Sequence, residues 1–217
     1  STYALPLPRE RWSEAARGHL GDGSEVPGEW HGYPEQAAAG LWTTPTDLLE
    51  LSRHLLAVRS GAVTDGVVAA GTLALMLTAH RGGEEGFSDY GLGFGVGGAG
   101  PAFNFGHGGS NAGFKSRWVV FANQGDGAVV MTNGDQGSAL AGEILRAVSH
   151  LYDWPGFAPR VRAVASLERE ALAGYAGRYE LPAAGVTVRL EVGEGVLAGT
   201  QNEGPAFTLH PAADAED

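Results

Sequence analysis

From Tyr90 onward the spacing of apolar residues changes, and that change limits the folds open to this chain. Segments 91–97, 102–106, 114–122 and 128–133 are short, carry Val and aromatic residues, and are separated by residues that include Gly, Pro and Asn, which reads as strands and turns. Asn123, Gln124, Gly125, Asp126 and Gly127 supply a hairpin turn between the last two. Strands joined this closely pair antiparallel, because a parallel partner needs a crossover of about a dozen residues or more. Helical spacing then returns at Ala139, Leu140, Ile144, Leu145, Val148 and Leu151. The expected core is an antiparallel sheet with a helix lying across it.

Upstream, a helix is predicted over 45–58. Thr44 is placed to cap it, Pro45 suits the first turn, and Asp47 sits at the positive end of the helix dipole. Leu48, Leu51 and Leu55, with Leu49 and Leu56, form its apolar stripe. A second helical stretch, 67–78, is apolar almost all round and so is predicted to be buried. Residues 1–40 carry Pro, Gly and aromatic residues without a sustained period. A stretch of that kind belongs to a long functional loop or to something packed on a body formed elsewhere.

Downstream, Trp154, Pro155, Gly156, Phe157, Ala158 and Pro159 end the helix and open a linker, taken as 155–165. A short helix follows over 167–173. Val186, Val188, Leu190 and Val192 then alternate with Thr187, Arg189 and Glu191, the pattern of a half-buried strand. After the Gly193-Glu194-Gly195 turn, 196–200 and 206–210 read as two more strands. The predicted class is α+β: a catalytic-type unit over 1–154 with an antiparallel sheet and flanking helices, and a small antiparallel β unit over 166–217.

Charge and composition remove several functions. Fourteen Lys+Arg against 25 Asp+Glu give a net charge of −11 with no basic cluster, which argues against nucleic acid as a partner. Cysteine is absent, excluding disulfides, thiolate metal sites and a cysteine nucleophile. The seven histidines (19, 31, 54, 80, 107, 150, 210) show no helical metal-ligand spacing, so no metal and no cofactor are expected. His54 and His150 read as cations at helix C-termini, and Asp126 and Asp135 as turn formers. No apolar run reaches the ~18 residues of a membrane span. Lys115 is the sole lysine.

The segment with the most chemistry in it is Gly106-His107-Gly108-Gly109-Ser110-Asn111. Polar groups lie there in a glycine-rich connection between two strands, where backbone approaches a ligand closely and peptide N–H groups are free to meet an oxygen. The same glycines suit a plain strand-to-strand turn, and the residues alone leave both readings open. Gly108-Gly109-Ser110-Asn111-Ala112 nearly matches a nucleophile elbow, but the elbow needs a helix after the serine and residues 114–121 are strand-like.

Three segments together resemble the serine β-lactamase-related hydrolases, the group that includes class C β-lactamases, penicillin-binding-protein-like D-peptidases and carboxylesterases. They are Tyr33-Pro-Glu-Gln-Ala-Ala-Ala-Gly-Leu-Trp-Thr-Thr-Pro-Thr-Asp47-Leu48, then Gly106-His-Gly-Gly-Ser-Asn111, then Val129-Val-Met-Thr-Asn-Gly-Asp135. Leu172-Ala-Gly-Tyr175-Ala-Gly-Arg-Tyr179 resembles the start of the lipocalin-like β-domain that often comes next. The resemblance implies a serine hydrolase working through an acyl-enzyme. His107-Gly108-Gly109 would occupy the Lys-Thr-Gly-like wall of the cleft, with Asn111 beside it on the substrate-binding side. The Ser110 backbone amide would be one of two oxyanion donors. Replacing Lys-Thr by His107-Gly108 removes a fixed cation and a hydroxyl, which leans the implied substrate toward esters or D-amino-acid peptides and away from β-lactams. The family's Ser-x-x-Lys and Tyr-x-Asn do not occur in this sequence: Ala112 stands three before Lys115, and no tyrosine has Asn two residues on. The resemblance therefore implies the C-terminal part of a longer protein, partnered by its missing N-terminal half and inactive alone. Relatives with signal sequences lean the expected location toward an extracytoplasmic one. Two other readings stand beside it: a non-catalytic ligand- or partner-binding module on the same fold, and an α/β-hydrolase using Ser110 with His107 and an aspartate, which would need a parallel sheet.

Overall fold

The computed structural model describes residues 1–82, 89–156, 162–202 and 204–213. It divides into two compact units, Ser1–Ala158 and Pro159–Asp217. Part of the expected linker, 157–161, lies outside the described residues. Among the described residues no helix is long and apolar enough to cross a membrane.

The first unit runs through helices α1 (Gln36–Ala39), α2 (Pro45–Arg59) and α3 (Ala70–Met76). Strands β1 (Arg81–Gly82), β2 (Asp89–Tyr90), β3 (Gly95–Gly97), β4 (Asn104–Asn111), β5 (Phe114–Phe121) and β6 (Asp126–Thr132) come next, then helix α4 (Gly137–Leu151). The six strands form one antiparallel meander in the order β1-β2-β3-β4-β5-β6. Side-chain alternation along β4 and β5 divides the core in two. Phe105, Trp118, Val120 and Ala122 face Leu55, Val58, Leu73 and Leu77 of the α2–α3 layer. Val119 and Phe121 face Leu145 of α4 and Trp154. A sheet covered on both sides fits an α+β class. On the α2 side, Phe94, Phe105 and Trp118 meet edge to face with centroids 5.3 to 6.4 Å apart. The buried Ser52 hydroxyl accepts the Trp118 indole N–H at 2.8 Å.

Helix α2 begins as its sequence predicts: Thr44 Oγ1 accepts the Asp47 N–H at 3.1 Å and Pro45 fills the first position. Three expectations need correction. The apolar 67–78 stretch is helical only over Ala70–Met76, and one face of it is buried, at Leu73, while Val67 and Leu75 are exposed. His54 is no terminal cation: its Nε2 accepts the Val67 N–H at 3.1 Å, tying the loop before α3 back to α2. Residues 1–40 do not simply await a body made elsewhere. The His19 backbone donates its N–H to the Asn133 carbonyl at 3.0 Å and accepts the Asp135 N–H at 2.9 Å, so this segment continues the hydrogen bonding past the end of β6. Val26 is buried there, and a Cβ placed on Gly18 would come 3.2 Å from the Gly113 Cα. That approach pins 17–26 onto the tip of the β4–β5 hairpin.

The second unit comprises α5 (Arg169–Ala173) and β7 (Gly177–Leu181), β8 (Val186–Val192), β9 (Leu197–Gln201) and β10 (Ala206–Leu209), ordered β10-β9-β8-β7 and antiparallel throughout. Leu172 and Leu197 are its buried apolar residues. The Phe207 ring lies over Gly199, where a Cβ would meet it at 2.4 Å, so the aromatic covers the gap a strand glycine leaves.

Candidate functional site

The glycine-rich segment is strand rather than connection. β4 runs from Asn104 to Asn111, and the chain reverses in two residues, Ala112 and Gly113, with Gly113 at φ 76°. β4 is paired along its whole length with β5, from Asn104↔Phe121 to Asn111↔Phe114. With β3 it is paired only at Asn104, Phe105 and Gly106. β3 stops there because the chain turns away before it: Gly91 N–H donates to the Phe94 carbonyl at 2.7 Å, and Gly93 takes φ 80°. That turn is why the strand is shorter than the predicted 91–97.

The ladder's phase fixes what the unpaired half of β4 presents. Ala122 N–H donates to the Phe103 carbonyl at 3.1 Å, one step before the Asn104↔Phe121 pair. In an antiparallel pair, bonded and non-bonded residues alternate, so Phe105, His107 and Gly109 exchange hydrogen bonds with β5. The N–H and C=O groups of Asn104, Gly106, Gly108 and Ser110 point the other way. For Asn104 and Gly106 the partner is β3. Gly108 and Ser110 lie past its end, so among the described residues their peptide groups face no strand.

Side-chain alternation sorts the same residues by face. His107, Gly109 and Asn111 share the face of Phe105, toward the α2 layer, while Ser110 points to the opposite face, beside Lys115. His107 is exposed. Its Nε2 is 2.6 Å from the Tyr90 hydroxyl and its Nδ1 is hydrogen-bonded to the Gly108 carbonyl. Asn111 donates its side-chain amide to the Ala39 carbonyl at 3.0 Å. Ser110 and His107 therefore lie on opposite faces of an antiparallel strand, and the parallel-sheet hydrolase with a Ser110–His107 pair is not formed.

The hairpin tip is held by charge. Lys115 Nζ donates to Asp135 Oδ1 and to the Asn111 carbonyl, at 2.8 and 2.9 Å, and Gly113 N–H reaches the same Asp135 oxygen at 2.8 Å. Tyr33 adds its hydroxyl as acceptor for the Ala112 N–H at 2.9 Å. The Lys115 ammonium, followed by the Gly113 N–H, holds the Asp135 carboxyl below the ordinary carboxylate range. Asp135 is thus an ion-pair partner, not only the turn former expected. Sequence reasoning missed this latch, because Lys115 and Asp135 lie twenty residues apart and meet only once β5 and β6 pair.

The β4 edge can receive an oxygen atom: Gly108 and Ser110 each aim an N–H outward from a rigid, two-sided sheet. The family described as Beta-lactamase matches residues 2–151. No curated protein matches the sequence. The crystal structure of SurE is similar at 22% identity over 92% of this chain and 46% of that one, with a TM-score of 0.52. The octameric penicillin-binding protein homologue from Pyrococcus abyssi is similar at 16% identity over 94% of this chain and 46% of that one, with a TM-score of 0.50. At these identities the likeness is one of fold, and the chain spans just under half the length of either structure.

Proposed function

The chain belongs to the β-lactamase family over residues 2–151, and from that premise we propose that it supplies the oxyanion-binding wall of a serine hydrolase. The observation carrying this reading is the second half of β4, where among the described residues no strand lies opposite the Ser110 and Gly108 N–H groups while β5 pairs the strand on its other side. A carbonyl oxygen seated against Ser110 N–H becomes negatively charged as a serine attacks its carbon, and a fixed donor stabilises that charge without reorganising. His107 and Gly109 line the approach on one face, and Asn111 holds the strand end through Ala39. The substrates this wall suits are esters and D-amino-acid amides or peptides. The attacking serine and its base belong to the longer protein that the resemblance implies, and the isolated chain is expected to be inactive.

Ser110→Pro tests the reading directly. Proline removes one N–H and is tolerated at an edge position whose N–H faces outward. In the longer protein, S110P is expected to lower kcat roughly 10²–10³-fold, the usual loss for one oxyanion donor, with KM and melting temperature little changed. Unaltered kcat overturns the role of Ser110. An active-site serine probe that labels this chain alone, above all at Ser110, overturns the division of labour.

A further inference from the structure

A free antiparallel edge carries acceptors as well as donors. Gly108 and Ser110 bring two N–H and two C=O groups to the side of β4 that, among the described residues, no strand covers, the pattern that recruits another strand. His107 alters that balance. A carbonyl accepts and cannot donate, so the hydrogen bond between His107 Nδ1 and Gly108 O places the ring proton on Nδ1. Nε2 is then the acceptor of the neutral ring, and the Tyr90 hydroxyl stands 2.6 Å from it as donor. Tyr90 ends β2 at the register level of Gly95 and Gly106, one residue short of His107 along β4. The two rings also meet edge to face, with centroids 6.1 Å apart.

We propose that Tyr90 is a positioning residue which, through the ring of His107, covers the Gly108 carbonyl and leaves the β4 edge with an excess of donors. Such an edge receives the acyl oxygen of an ester or a small amide and is poorly matched to an extended peptide, whose own N–H groups need acceptors along the strand. The substrate preference rests on the hydrolase reading above; the tautomer and the covered carbonyl do not. Tyr90 acts through His107 and need not touch the substrate.

The test uses the chain as it is, labelled with 15N and 13C. At pH 8, multiple-bond 1H–15N spectra are expected to show His107 in one form, with a protonated-type nitrogen at Nδ1 and a lone-pair-type nitrogen at Nε2. Tyr90→Phe keeps the ring and removes the hydroxyl. It is expected to abolish that single form in favour of a mixture containing the Nε2–H tautomer, and to shift the Gly108 carbonyl 13C signal toward its value in His107→Ala. His107→Gln, which retains a donor and an acceptor, is expected to leave the Gly108 signal close to wild type. A general loosening of the fold would move Phe105 and Trp118 signals instead. An Nε2–H ring in the wild type, or a Gly108 carbonyl indifferent to both Tyr90→Phe and His107→Ala, overturns the proposal. None of these signals needs turnover, so failure of the hydrolase reading would appear separately, as unchanged kcat in S110P. In the longer protein, Tyr90→Phe is expected to raise the ratio of peptide to ester kcat/KM several-fold.

Discussion

The two halves of β4 share a strand and a ladder partner, yet they do opposite work. Asn104, Phe105 and Gly106 are buried, with β3 on one side and β5 on the other. His107 to Asn111 keep the β5 pairing but lose β3, and three of those five residues are exposed. The contrast arises outside β4, in the turn at Gly91–Phe94 that ends β3 early. The edge is made by stopping a neighbour, while the strand that bears it remains anchored in a core on both faces.

The largest test of that contrast is truncation in each half. Phe105→Ala removes a fully buried ring from the cluster with Phe94 and Trp118 and is expected to cost about 3–5 kcal/mol. His107→Ala, two residues on along the same face, is expected to stay within roughly 0.5 kcal/mol. Urea melts of both variants check this, and comparable losses would erase the division.

A smaller pair of effects has opposite signs. A Cβ at Gly106 would lie 1.9 Å from the Trp118 carbonyl oxygen, which is backbone and cannot step aside. At Gly108 the nearest atom to a Cβ is the tip of Arg117, at 3.5 Å. Gly106→Ala is expected to lose about 1–3 kcal/mol, whereas Gly108→Ala is expected to gain up to roughly 0.5–1 kcal/mol by relieving the entropic cost of strand glycine. Thermal melts of the two variants read the signs.

The smallest effect concerns the latch that holds the free half in place. Asp135 titrates lower when folded than its unfolded reference of ~3.9, chiefly through Lys115. Its contribution is therefore complete above that reference and is lost as pH falls through the folded value. Asp135→Asn is expected to flatten the fall of melting temperature below about pH 4 and to change little else. A wild-type profile with no fall in that range would contradict the Lys115–Asp135 pairing.

Much of this arrangement was legible from residue order. Thr44, Pro45 and Asp47 announced α2, and the alternation of Val186 to Val192 announced β8, because caps and period act locally. The glycine-rich segment was singled out and misread in form: Gly106 to Asn111 looked like a connection, but pairing with β5 makes it strand, since tertiary partners override the low strand propensity of glycine. The open edge was not readable, because it depends on where β3 ends relative to β4. Nor was the latch, whose members Asn111, Lys115 and Asp135 meet only once the hairpin and β6 align. The exposed side of α3 escaped a pattern that shows hydrophobicity without showing which neighbours cover it.

Amide hydrogen exchange along β4 tests the central claim most directly. The expected result is an alternation confined to the second half: His107 and Gly109 protected through β5, Gly108 and Ser110 exchanging fast, and Asn104, Phe105 and Gly106 all protected. Uniform protection from Asn104 to Asn111, or fast exchange at Gly106 as well as Ser110, would contradict it.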